Sequence, residues 1–315
     1  VGLRDSPYCM PAEIFGERYQ FLPRADLLTF EEIVRVVTAS VRLGVRKIRL
    51  TGGEPLVRSN IEQLVEMIQS VEGIEDIAMT TNAYLLDGMA EKLKRAGLHR
   101  VTISLDSLDD EVFQQMNGRG FSTAKVLKGI SAAKEAGFEV IKINAVVQKG
   151  VNEHTLLKLV EWCRRNDIVP RFIEYMDVGT LNGWRKDDVV SANEIVEMID
   201  AVFPLQPIEP SYKGEVATRY KYVDGGGEIG VISSVSQPFC GDCTRLRLSP
   251  EGQLVTCLFA EKGTDLRSPM REGASDNEMR RIIEKTWKLR DDRYSEERAQ
   301  STKARTKVEM YHIGG

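Results

Sequence analysis

Between residues 47 and 175 the chain alternates short strand-like runs, rich in Ile, Val and Leu, with longer segments of helical period, and this alternation leaves few folds open. The runs fall at 47–51, 76–80, 101–105, 140–147 and 171–175. A capping box, Thr29-Phe-Glu-Glu32, opens a helix before the first of them, with Ile33, Val36, Val37 and Val41 keeping the period up to Gly44. Further helices are expected at about 60–71, 86–96, 109–116, 123–136 and 153–165, two of them stopped by Gly97 and Gly137. Strands joined by helices pair in parallel through right-handed crossovers, so the class is α/β. A sixth strand is expected ahead of Cys9.

Polar residues collect where the strands end. Gly52, Gly53 and Glu54 follow the first; Thr80, Thr81 and Asn82 close the second; Ser104 and Asp106 close the third. Lys142 and Asn144 lie within the strand at 140–147, and Glu174 and Met176 end the last. The carboxyl ends of such strands are where α/β folds build their sites. Taken singly, each residue reads equally well as a cap or turn former.

After about Gly179 the pattern changes, which divides the chain into a parallel-sheet region, 1–178, and a smaller α+β region, 179–315. A second capping box, Ser191-Ala-Asn-Glu194, opens a helix to about Val202, and short strands with an Asp224-Gly-Gly-Gly227 hairpin turn follow. The charged run Arg290 to Arg298 reads as a solvated face, and Cys163, alone on a helical pattern, as a buried structural cysteine.

Three of the five cysteines, Cys240, Cys243 and Cys257, fall within eighteen residues, with Ser249-Pro-Glu-Gly252 as a turn between them. A tight pair with a third ligand returned by a hairpin suits a thiophilic metal or an iron–sulfur cluster with one iron left open; a structural zinc knuckle and a disulfide are the alternatives. If Thr244 to Leu248 is a strand, Cys243, Arg245 and Arg247 share one face, and Leu246 and Leu248 the other. Two fixed guanidiniums beside a metal point to a polyanionic small molecule. The net charge of −4 argues against nucleic acid as partner, and no run of eighteen apolar residues or signal-peptide pattern suggests a membrane. A cytoplasmic location is expected, where cysteines stay reduced and favour metal over disulfide.

Tyr8-Cys9-Met-Pro11, Arg49-Leu-Thr-Gly-Gly-Glu-Pro55, Thr80-Thr-Asn82, Ser104-Leu-Asp106, Arg171-Phe-Ile-Glu-Tyr-Met176, the stretch Phe239 to Phe259 and the terminal His312-Ile-Gly-Gly315 together resemble the GTP 3′,8-cyclases, radical SAM enzymes that open molybdenum cofactor biosynthesis. The resemblance covers nearly the whole chain, and its cysteine and arginine stretch is the most specific part. It implies an incomplete (β/α)6 TIM-like radical SAM barrel, two [4Fe-4S] clusters and S-adenosylmethionine (SAM) as cofactors, and (8S)-3′,8-cyclo-7,8-dihydroguanosine 5′-triphosphate as the product of GTP. Position by position it implies Tyr8, Gly53, Ser104 and Met176 as SAM contacts, and Arg49, Thr80, Lys142, Arg245 and Arg247 as GTP contacts. Cys9 becomes a ligand of the SAM cluster, Cys240, Cys243 and Cys257 the ligands of a second cluster, and Gly314-Gly315 a tail that enters the active site. An electron donor, a downstream cyclic pyranopterin monophosphate synthase and a homodimer are the implied partners.

The sequence departs from the family at one place. Val1-Gly-Leu-Arg-Asp-Ser-Pro7 runs directly into Tyr8-Cys9, where the family has its first strand and a C-x3-C-x2-C motif of which Cys9 matches the last cysteine. About a dozen further residues, two cysteines among them, are therefore expected between Arg4 and Pro7. A catalytically inactive GTP-binding homologue and a zinc-binding module on a barrel are the rival classes.

Overall fold

The computed structural model describes residues 22–118, 121–178 and 183–298. Five strands, β1 (Lys47–Leu50), β2 (Asp76–Thr81), β3 (Arg100–Ser104), β4 (Ile141–Val147) and β5 (Val169–Glu174), pair in parallel in sequence order. Helices α1 (Phe30–Val41), α2 (Ile61–Gln69), α3 (Ala90–Arg95), α4 (Asp110–Asn117), α5 (Thr123–Glu135) and α6 (Leu156–Arg165) alternate with them as expected. The strand expected before Cys9 lies outside the described residues.

The sheet does not stop at residue 178. After α7 (Ala192–Asp200) come β6 (Leu205–Ile208), β7 (Thr218–Tyr222) and β8 (Glu228–Ile232), and β8 pairs in parallel with β5. β7 and β6 then extend the sheet antiparallel, giving eight strands in the order β1-β2-β3-β4-β5-β8-β7-β6. The Asp224 to Gly227 segment is the hairpin turn between β7 and β8, with Gly225 and Gly227 at positive φ.

Local chemistry fixes the helix starts. Thr29 and Glu32 close a reciprocal box at α1, Thr29 N–H donating to Glu32 Oε2 (2.8 Å) and Glu32 N–H to Thr29 Oγ1 (3.2 Å). Ser191 and Glu194 do the same at α7. The main core lies between the helices and the sheet, where Val65 and Ile68 of α2 meet Ile77 and Met79 of β2, all fully buried. Each such side chain contributes about 1.5–3 kcal/mol. Cys163 on α6 is buried in that core, as expected, and its surroundings push its thiol up to about 12.

A second core forms where Leu28, Val36 and Ala39 meet the carboxyl-terminal elements. These are a small sheet of β9 (Arg247–Leu248), β10 (Gln253–Val255) and β11 (Thr264–Asp265), followed by α8 (Arg267–Arg271), α9 (Asp276–Lys288) and α10 (Tyr294–Glu297). A Ser275–Glu278 capping box opens α9, and Arg35 of α1 pairs with Asp276 at its start (2.7 Å). Among the described residues no helix is long and apolar enough to cross a membrane.

Candidate active site

Because β-strand side chains alternate, Lys47 and Arg49 share one face of β1, and Arg100, Lys142 and Arg171 join them from β3, β4 and β5. The five cations line a cavity of about 420 Å³. Ser211, Tyr212 and Glu215, between β6 and β7, form its opposite wall, and the Lys47 ammonium lies 3.7 Å from the centre of the Tyr212 ring.

The cations differ in how they are held. Arg100 is neutralised in place, its Nε donating to both oxygens of Asp76 (2.9 and 3.1 Å). Arg49 instead donates to the hydroxyls of Thr80 (2.9 Å) and Thr102 (3.3 Å), and Arg171 to the Asn144 amide oxygen (3.0 Å) and Thr102 (3.4 Å). These partners orient the guanidiniums without cancelling their charge. Burial, then Arg171 and Arg100, lowers Lys142 to about 8; burial, then Arg49 and Arg100, lowers Arg171 to about 10. Arg49 keeps solvent access through the cavity mouth although protein atoms crowd it, and that crowding, with Arg100 next, lowers it too. Cations lowered by burial and by one another define a space that favours a polyanion.

The cysteine stretch reaches toward the same cavity. Cys240–Asp242 make one 3-10 turn, and the β9–β10 hairpin, turning at Ser249 to Gly252, returns the chain to Cys257, which is electrostatically coupled to Cys240. The strand expected over Thr244 to Leu248 is confined to Arg247–Leu248, because only β9 finds a partner, in β10. The expected division of faces survives: Leu246 and Leu248 pack on the second core, while Arg245 and Arg247 are electrostatically coupled to Cys243. Arg245 also bears on Arg49, which links the cysteines to the cationic cavity.

The four described cysteines are free thiols, so the disulfide reading falls. Among the described residues no three Cys, His, Asp or Glu side chains stand close enough to chelate one ion, so a ready-made zinc knuckle is absent. Two of the three sulfurs accept hydrogen bonds. Arg245 Nε donates to Cys243 Sγ (3.2 Å) and Phe259 N–H to Cys257 Sγ (3.4 Å). Burial raises the Cys243 thiol, but Arg245 and Arg290 outweigh it and hold it below its ordinary value; burial raises Cys257. Three soft donors, Cys243 with guanidinium and Cys257 with N–H support, fit a thiolate-bound iron–sulfur group.

At the carboxyl ends of the strands Gly53, Ser104 and Met176 are half-buried around β1, β3 and β5. Other polar residues there hold the frame. Glu54 accepts from Leu56 N–H (3.2 Å), Thr81 Oγ1 (2.6 Å) and Asn82 N–H (2.8 Å), pinning the loop that carries Gly53 to the end of β2. Asp106 accepts from Val146 N–H (2.8 Å), and the fully buried Glu174 accepts from Ala192, Val235 and Ser236 backbone N–H groups (2.6, 2.6 and 2.8 Å). Tyr8, Cys9, Gly314 and Gly315 lie outside the described residues.

Arg171, Lys47 and Arg100 are cavity residues that sequence reasoning did not assign to the site. The i, i+2 spacing of Lys47 with Arg49 carried the signal for the first of them. The Arg290 to Arg298 run is a solvated face only in part: Asp291, Arg293, Glu296 and Glu297 are exposed, but Arg290 and Arg298 are not. The Arg290 side chain is 12% exposed and donates to the Cys243 carbonyl, and the Arg298 side chain is 10% exposed and pairs with Asp177. Partners distant in sequence turn both charges inward.

Residues 4–163 match the Radical SAM superfamily and residues 168–296 match Molybdenum Cofactor Synthesis C. The GTP 3′,8-cyclase of Acidothermus cellulolyticus is 52% identical over 93% of this chain and 82% of its own length. That of Staphylococcus haemolyticus is 47% identical over 98% and 92%, and that of Xanthomonas campestris 47% over 98% and 90%. In fold, the chain resembles Streptococcus suis SuiB bound to S-adenosylmethionine, with a TM-score of 0.51 and 21% identity over 62% of this chain and 44% of that one. With the cationic cavity and the three cysteines in one fold, and relatives alike over nearly its full length, the chain belongs to the GTP 3′,8-cyclase family of the radical SAM superfamily.

Proposed function

We propose that this chain is a radical SAM GTP 3′,8-cyclase of molybdenum cofactor biosynthesis, converting GTP to (8S)-3′,8-cyclo-7,8-dihydroguanosine 5′-triphosphate. The observation that carries the reading is the cationic cavity at Arg49 and Lys142, with Arg245, hydrogen-bonded to Cys243, electrostatically coupled to Arg49. A nucleoside triphosphate has that polarity, with phosphates at one end and purine nitrogen and oxygen donors at the other.

In this reading Arg49, Thr80 and Lys142, with Arg171 behind them, hold the phosphates. Arg245 and Arg247 add charge at the cysteine end, and Cys240, Cys243 and Cys257 hold a [4Fe-4S] cluster against the purine. Tyr8, Gly53, Ser104 and Met176 hold SAM, and Cys9, with two cysteines expected between Arg4 and Pro7, holds the cluster beside it. Bound there, cluster and SAM supply the one-electron radical chemistry that side chains lack. The chain's part is orientation: Thr80 and Thr102 aim Arg49, Asn144 aims Arg171, and Glu54 fixes the Gly53 loop. Gly314-Gly315 enters the site as a tail. The enzyme is placed in the cytoplasm as a homodimer, with an electron donor and with a cyclic pyranopterin monophosphate synthase downstream.

Anaerobically reconstituted full-length protein, given GTP, SAM and a strong reductant, is expected to release the cyclised triphosphate. Iron and SAM bound with no product from GTP would overturn the reading in favour of the inactive homologue.

A further inference from the structure

The segment that follows β5 and the end of α10 meet through a largely buried ion pair. Asp177 directly follows Met176 past the end of β5, and its Oδ1 lies 2.8 Å from Arg298 Nε, the two side chains 14% and 10% exposed. The Tyr294 hydroxyl donates to Asp177 Oδ2, and Arg298 Nη1 donates to the Ser234 carbonyl (3.0 Å). The guanidinium also lies 5.4 Å from the centre of the Phe259 ring, which stacks on Tyr294 at 4.5 Å. Phe259 N–H is the donor to Cys257 Sγ. A short chain of contacts thus joins Met176, on the SAM side, to Cys257, on the cluster side.

Stability alone is a weak reason for such a pair, because desolvation of two buried charges offsets most of their attraction, and well-packed apolar side chains would hold the region as firmly. What a planar guanidinium adds, hydrogen-bonded to the Ser234 carbonyl and set against a carboxylate and aromatic rings, is a directional placement that apolar packing lacks. We propose that Asp177, Tyr294 and Arg298 form a latch that sets the placement of the Met176 end of β5 relative to the Cys257 loop, with Arg298 a positioning residue for the cyclase reaction. The inference rests on the functional reading above. Its consequence is coupling: with the latch broken, SAM is still cleaved, but the radical equivalent reaches the ribose less often.

The test compares the reconstituted full-length enzyme with Arg298→Met and with the Asp177→Asn/Arg298→Met pair. Arg298→Met leaves the Asp177 charge buried and unpaired, so it loses stability as well as position; the double variant removes both charges and regains most of the melting temperature. Both are expected to lower the ratio of cyclised product to 5′-deoxyadenosine at least tenfold, with GTP and SAM affinities within about threefold of wild type. In both, the change that GTP produces in the electron paramagnetic resonance spectrum of the second cluster is altered or lost. A double variant that melts like wild type and keeps wild-type coupling and spectrum would show a structural role only and overturn the latch. Wild type that makes no cyclised product would overturn the functional reading itself, a result seen before any variant is compared.

Discussion

Lys142 should be a residue whose removal helps the fold and harms the function. Burial, Arg171 and Arg100 bring its pKa from the ordinary 10.5 to about 8. At 1.36 kcal/mol per pH unit, that difference corresponds to about 3 kcal/mol against charging the folded protein, and to about 1–2 kcal/mol once discounted for the water that reaches the side chain. Lys142→Met keeps the length and removes the charge, so the ligand-free variant is expected to be more stable than wild type by about 1–2 kcal/mol at pH 7. Between about pH 8 and 10.5 the unfolded chain still holds the lysine proton that the folded chain has released. Wild-type stability therefore rises with pH across that window, and the advantage of the variant shrinks. A bound polyanion favours the protonated form, so wild-type GTP affinity should fall as pH rises above about 8, with proton uptake on binding. The variant should lose about ten- to a hundredfold in affinity at pH 7, the range expected for one charge-assisted hydrogen bond of about 1.5–3 kcal/mol. Urea unfolding at pH 7 and 9.5, with calorimetric GTP titration in buffers of different ionisation enthalpy, measures both effects. A variant less stable than wild type at pH 7, with undiminished GTP affinity, would refute the reasoning.

Anaerobic reconstitution should load about four irons on Cys240, Cys243 and Cys257, and Cys243→Ser should remove them; stoichiometric zinc and no iron at the trio would count against the cluster. Arg247→Ala should weaken GTP binding by about ten- to a hundredfold and leave SAM binding nearly intact, as read by calorimetry. Deleting Gly314 and Gly315 should abolish product while moving the melting temperature by only a few degrees, and a fully active truncated enzyme would show the tail to be idle. Alkylation of denatured native protein should find two thiols beyond the five in the sequence; finding only five would remove the expected partners of Cys9.

The elements that the sequence made legible are those whose cause is local. Thr29 with Glu32 and Ser191 with Glu194 name their own helix starts, and each box closes in the structure because both of its bonds span three residues. The parallel strands were readable because one face of each is buried under the helices, which in Ile141–Val147 puts Ile141, Ile143, Ala145 and Val147 at alternate positions. What stayed hidden depends on partners far along the chain. Nothing near Thr244 says that its strand must wait for β10 to reach Arg247, and nothing in Arg290 to Arg298 distinguishes a solvated arginine from one whose carboxylate lies at Asp177. Strand-end composition likewise did not separate Arg49, with hydroxyl partners facing a cavity, from Glu54 and Glu174, consumed by backbone N–H groups.

The parallel pairing of β5 with β8 also sets a schedule for synthesis. When β5 leaves the ribosome its outer edge has no partner, and the strand that covers it ends roughly 60 residues later, at Ile232. At about 5–20 residues per second that interval is several seconds, long beside the microseconds in which a chain collapses. During it the half-made sheet presents Phe172 and Ile173 on an open edge, a template for pairing with a neighbouring nascent chain. Yield in the cell should therefore respond to chaperone supply and translation speed over the 175–232 stretch more than to substitutions in the finished core.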